Sequence, residues 1–232
     1  MESTAHRTAP VVSLELVLDA ATEALVRDEW QALADAGLSS LAAHRAASNR
    51  PHITLMVRRT IAPLKAAQLA EVVSLPLPIA LGPVVLFGTG DRRVLARTIV
   101  PSAALLRLHA DLHALVGPGA GLGDDDAPGP DTYTPAPGTG APGPGPDAPH
   151  TRPGEWTPHV TLARRLRVEV LPLALSLLHD PRAEAQDAPE ARQPHHGEQT
   201  HRAHQAHQPR ARSTAVALRR WDAASATVTE LL

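Results

Sequence analysis

Leu14, Leu16 and Leu18 alternate with Ser13, Glu15 and Val17 in "VVSLELVLDA", the period-two pattern of a half-buried strand. "DAATEALVRDEWQALADAG" then changes to helical spacing, with Leu25, Trp30 and Leu33 near one stripe, Asp19 as the start cap and Gly37 as the stop. "HITLMVRR" predicts a second strand, and "APLKAAQLAEVVS" a short helix with Pro63 near its first turn. "PIALGPVVLFG" and "RRVLARTIVP" flank "GTGD" as a hairpin. "SAALLRLHADLHALVG" is a third helix, opened by Ser102 and closed by Gly117. "WTPHVTLARRL" predicts a strand, "VEVLPLALSLLH" a helix that must accommodate Pro172, and "STAVALRRWD" with "AASATVTELL" a terminal hairpin.

Two stretches break the pattern. Residues 118–153 are dominated by Gly, Pro, Asp and Ala, and residues 181–212 by polar residues rich in His and Gln. Neither holds enough apolar surface to offset the entropy of ordering it, so both are expected to be disordered insertions. Without them the elements run strand–helix–strand–helix–hairpin–helix–strand–helix–hairpin. The unit strand–helix–hairpin occurs twice, which predicts one α+β domain over 1–232 with two similar lobes and antiparallel sheets.

Each unit opens on the same words. "RPHITL" begins at Arg50 and "TPHVTL" at Thr157, so Pro-His-aliphatic-Thr-Leu is written twice. In a strand, residues two apart share a face. His52 and Thr54 therefore point one way while Ile53 and Leu55 point to the core, and His159 and Thr161 repeat this. A lone His-x-Thr on a strand is usually structural. Two matched copies, facing each other across a groove, would supply an imidazole base, an imidazole acid and two hydroxyls for phosphate oxygens.

With 43% hydrophobic residues but only 2% aromatic, the core must be built from Ala, Val and Leu, and Phe87, Trp156 and Trp221 are the aromatics placed to stack on a base. A formal net charge of −2 provides no field to gather duplex DNA. The absence of cysteine removes disulfides, thiolate metal sites and cysteine nucleophiles. No leader-like run and no apolar stretch of membrane-spanning length is evident, so a cytoplasmic, membrane-free monomer is expected.

The paired motifs and the element order resemble the two-histidine (2H) phosphoesterase superfamily, in particular its 2'-5' RNA ligase-like branch, which includes RNA 2',3'-cyclic phosphodiesterases. The resemblance implies a bilobal fold of two ferredoxin-like halves around a groove and no metal or cofactor. It also implies action on 2',3'-cyclic phosphate or 2'-5' phosphodiester bonds of RNA ends or small nucleotides. By position, His52 would be the proton donor and His159 the proton acceptor, with Thr54 and Thr161 holding phosphate. Arg164 matches a basic position of the second motif. Its parity sets it opposite His159 on an ideal strand, so a phosphate role requires a twist, a bulge or a strand end.

Rival readings are a nucleotide- or RNA-binding module without chemistry and, further behind, a His-rich metal binder. His109 and His113 lie four apart, a spacing able to bind metal, but they lack a third ligand and are expected on an exposed helix face. The tract of His195, His196, His201, His204 and His207 and the acidic run at 124–126 are expected to be solvated linker.

Overall fold

A computed structural model describes residues 10–46, 48–117, 147–178 and 213–232. The elements run β1 (Val12–Leu18), α1 (Ala20–Asp35), β2 (His52–Arg58), α2 (Ala66–Val72), β3 (Leu77–Ile79) and β4 (Leu81–Phe87). They continue with β5 (Arg92–Ile99), α3 (Ala103–Val116), β6 (His159–Arg167), α4 (Leu171–Leu177), β7 (Ser213–Asp222) and β8 (Thr227–Glu230). The fold class is α+β, with all strand pairs antiparallel.

One sheet has the order β2-β1-β7-β3, with β8 also on β7; the other is β4-β5-β6. β3 pairs with the start of β7 and β8 with its end, so they share one side of that long strand. The hairpin expected from "PIALGPVVLFG" divides at Ala80. Leu77–Ile79 joins the first sheet, and the residues after Ala80 cross to pair with β5 in the second. Buried apolar side chains from both sheets form one continuous cluster, including Leu14, Leu16, Ile53 and Leu218 with Leu95, Val160 and Leu162.

The start cap of α1 is the expected one: Asp19 Oδ1 accepts from Thr22 N at 2.9 Å, while Oδ2 accepts from Thr214 N at 2.6 Å and ties the cap to β7. Ser102 likewise caps α3, accepting from Leu105 N at 3.2 Å, and Gly117 ends that helix at φ 68°, a conformation glycine adopts without strain. Pro172 fits because it stands in the first turn of α4, where no backbone N–H is needed.

Four expectations are corrected. Every residue of β1 is buried, not every second one, because its polar face lies under the groove described below. Leu25 is 56% exposed; the inner face of α1 is Thr22, Val26, Trp30 and Leu33. His109 and His113 are buried, not on an exposed face. Most of the segment 118–153 lies outside the described residues, including the acidic run 124–126, as does 181–212 with its histidines, but the last part of the first segment, 147–153, is built into the fold. Asp147 takes the buried Arg58 guanidinium at 2.6 and 3.2 Å, and Pro149–Thr151 forms a helical turn against β2. A Pro- and Gly-rich composition hid an anchor made by one carboxylate.

Candidate functional site

β2 and β6 are edge strands of their respective sheets, and these two edges meet. That juxtaposition brings the two motifs together. His52, Thr54, His159, Thr161 and Arg164, all five residues expected from the sequence, line one groove of about 670 Å³.

The floor on the β2 side can be read from strand register. Val17, Glu15 and Ser13 of β1 stand opposite His52, Thr54 and Val57 of β2, and opposite Ala217, Arg219 and Trp221 of β7. Opposed residues share a face, so this grid presents His52 and Thr54 beside Glu15 and Arg219. On the β6 side, His159 stands opposite Thr98, and Thr161 opposite Ala96.

Both motif strands carry a β-bulge at the same point. In β2 the register slips between Thr54 and Met56, and in β6 between Thr161 and Ala163. Each bulge buries two consecutive apolar residues, Leu55 with Met56 and Leu162 with Ala163, all at 0% exposure. An extra residue reverses strand parity. Arg164 is thereby returned to the groove side, meeting the requirement that an ideal strand would have failed. Its backbone carbonyl accepts the Ser39 hydroxyl. The counterpart of Arg164 in β2 is Val57, which also lines the groove.

The local hydrogen bonds repeat as well. His52 Nδ1 lies 2.6 Å from the carbonyl of Arg50, and His159 Nδ1 lies 2.7 Å from that of Thr157. A carbonyl can only accept, so these short contacts favour the proton on Nδ1 in both rings and leave each Nε2 for other partners. Arg219 Nη2 also stands 3.4 Å from His52 Nδ1, a contact His159 does not repeat among the described residues. Two indoles secure the strands behind them. Trp30 Nε1 donates to the Thr161 carbonyl at 3.0 Å, and Trp156 Nε1 donates to the Thr54 carbonyl at 2.9 Å. Trp156 is therefore committed to the scaffold, stacked 4.0 Å from His109, and is not a platform for a base. Phe87, 4.7 Å from the His159 ring, and Trp221 do line the groove.

The two imidazoles sit in different fields. Glu15, 4% exposed, holds Oε1 3.7 Å from His52 Nε2 while its other oxygen takes Arg219 Nε at 2.8 Å. Burial works to raise the Glu15 pKa, but the His52 charge, the Ser13 hydroxyl at 2.5 Å and Arg219 outweigh it, so the carboxyl lies below its usual range and is ionised. Among the described residues, the place across from Thr161 is taken by Ala96. Burial lowers the His159 pKa, and the charges of His52 and Arg164 act in the same direction against the hydrogen bond to Thr157. One ring has an anion at its Nε2; the other is held toward its neutral form.

Sequence reasoning missed Glu15 and His150, which also line the groove. Glu15 was legible as a charged residue in an apolar strand. His150 carried no signal, lying in the segment expected to be an insertion. Among the described residues, no three His, Cys, Asp or Glu side chains are grouped so as to hold a metal ion. No described helix is long and apolar enough to cross a membrane.

A family model described as the 2'-5' RNA ligase superfamily matches residues 21–192. No curated protein matches the sequence. Two structures of Usb1 from Kluyveromyces marxianus, one of them with uridine monophosphate, share 13% identity with this chain. Each covers 97% of this chain and 98% of its own, with TM-scores of 0.40 and 0.39.

Proposed function

This chain belongs to the 2'-5' RNA ligase superfamily, and from that premise we propose that it is a metal-independent phosphodiesterase acting on 2',3'-cyclic phosphate or 2'-5' phosphodiester bonds of RNA ends or small nucleotides. The observation that carries the reading is the pair of imidazoles on matched edge strands, each with Nδ1–H given to a backbone carbonyl and each in a different electrostatic setting.

On a 2',3'-cyclic phosphate, His159 accepts a proton from water through Nε2 as the water oxygen bonds to phosphorus. The bond from phosphorus to O3' breaks, and His52 gives its Nε2 proton to that oxygen, leaving a 2'-phosphate. The Glu15 carboxylate stands 3.7 Å from Nε2 of the donor. Burial and the neighbouring cations favour a neutral acceptor. Thr54 and Thr161 hydrogen-bond the non-bridging oxygens, and Arg164 offsets the charge gathering on them. The same pair serves a 2'-5' linkage, where the adjacent 3'-hydroxyl replaces water as the attacking group, the bond from phosphorus to the 5'-oxygen breaks, and His52 gives its proton to that oxygen.

Purified protein should open a 2',3'-cyclic nucleotide in EDTA, with a bell-shaped pH profile. His52→Ala and His159→Ala should each lower kcat by about 10²–10⁴-fold. Full activity in either variant removes that residue from the chemistry. Tight binding of the nucleotide with no product over hours replaces the enzyme reading by the binding-module reading.

A further inference from the structure

The groove contains a third imidazole, His150, to which the two-motif chemistry gives no role. Its helical turn is fixed from several sides. Ala148 N donates to the Val57 carbonyl at 3.0 Å, Val57 N donates to Thr151 Oγ1 at 3.4 Å, and the Thr151 carbonyl accepts from His109 Nε2 at 3.0 Å. Immediately before the turn, Asp147 holds Arg58, whose Nη1 also donates to the Gly117 carbonyl at 2.7 Å. All these bonds position the backbone around His150. Among the described residues, none hydrogen-bonds its ring.

A partly buried imidazole with no hydrogen-bond partner among the described residues, held on a turn fixed from several sides at a groove wall, is placed to meet something that arrives. Burial and the charge of the neighbouring His159 push its pKa down to about 4. Near neutral pH it therefore offers one N–H donor and one bare nitrogen acceptor. A phosphate oxygen accepts only, and the groove already meets it with two hydroxyls and Arg164. A sugar hydroxyl or a base edge both donates and accepts, which matches a neutral imidazole.

We propose that His150 is a third substrate-binding residue, a neutral imidazole that hydrogen-bonds the nucleoside attached to the phosphate held between His52 and His159. The inference rests on the phosphodiester reading above and names which part of the substrate this wall recognises.

The test compares His150→Ala, His150→Gln and His150→Phe with the wild type on a 2',3'-cyclic mononucleotide. Loss of one neutral hydrogen bond should raise KM about three- to tenfold in His150→Ala with kcat held within about twofold. His150→Gln keeps a donor and an acceptor and should recover most of the loss. His150→Phe keeps only the flat ring and should not. In the full-length wild type, the His150 ring signals in an NMR titration should move with a nucleoside 2'-monophosphate and stay still with inorganic phosphate. This readout stands even if a variant folds poorly. Unchanged KM in His150→Ala, rescue by Phe but not Gln, or ring signals that follow inorganic phosphate equally would each overturn the proposal. A wild type that turns over normally while these outcomes occur sinks His150 alone. A wild type that neither binds nor cleaves the nucleotide sinks the phosphodiester reading, and His150 with it.

Discussion

Arg164→Gln probes the groove at a position where the two lobes differ, since the bulge that presents Arg164 presents Val57 on the other side. A charge-assisted hydrogen bond to phosphate is worth about 1.5–3 kcal/mol, or about 10- to 150-fold in kcat/KM. Arg164 is exposed, so solvent screening sets the expectation at the lower end, about tenfold. The substitution has a second consequence with a fixed sign. Burial is the main cause of the low His159 pKa, and the Arg164 charge adds to it. Removing that charge raises the His159 pKa, so the acid limb of the kcat/KM profile must move to higher pH. The assay is kcat/KM against pH for a 2',3'-cyclic nucleotide at fixed ionic strength. Arg167→Gln serves as the control, because Arg167 is exposed and pairs with Glu169 at 3.2 Å without lining the groove. Activity of Arg164→Gln within twofold of wild type, with an unmoved acid limb, would refute both the phosphate role and the reasoning from the bulge.

Glu15→Gln should destabilise the protein by about 3–5 kcal/mol in urea denaturation, because it leaves buried Arg219 without its anion, and the double variant Glu15→Gln/Arg219→Met should lose less than the two single losses added together. Strict additivity would show that the pair is not an energetic unit. Burial and the charge of His113 lower the His109 pKa to about 4, from an ordinary value of 6.5. The unfolded chain therefore binds more protons between these values, so the His109 contribution is complete above pH 6.5 and is lost as pH falls toward 4. The full loss is about 3 kcal/mol. Chemical denaturation across that range should show the decline, and His109→Gln should flatten it; an equal slope in the variant would count against the assignment.

What the sequence made legible and what it hid divide along physical lines. Alternation placed His52 with Thr54 and His159 with Thr161 on one face, because period-two geometry is a property of the strand alone. The bulges at Leu55–Met56 and Leu162–Ala163 depend on register with a partner strand. They left only a faint mark, two apolar residues in succession after each threonine, in "TLM" and "TLA". Leu25 was misplaced because helical spacing does not say which of several neighbouring stripes meets the sheet. His109 and His113 were misplaced because their partners come from elsewhere: the carbonyls of Thr151 and Leu55 lie 3.0 and 3.2 Å from their Nε2 atoms. His150 was hidden because an anchor built from Asp147 and Arg58, 89 positions apart, leaves no local pattern.

The duplicated scaffold also bears on how the chemistry acquires direction. Matched bulges, matched Nδ1 hydrogen bonds and matched indole donors would by themselves make two equivalent imidazoles, with nothing to decide which gives a proton and which takes one. The symmetry is broken by side chains that the repeated motif does not specify. Across from Thr54 stands Glu15, whereas across from Thr161 stands Ala96. After the first bulge stands Val57, and after the second, Arg164. The ion pair of Glu15 and Arg219 is thus placed beside one ring, and the unmatched cation Arg164 acts on the other. Moving either feature to the opposite lobe, as in Arg164→Val/Val57→Arg, should leave the Nδ1 hydrogen bonds and both bulges in place while removing the cation that helps keep His159 neutral. The motif pair lines the groove, and under the proposed reaction the residues across the ladder and just beyond the bulges would set the direction in which protons cross it.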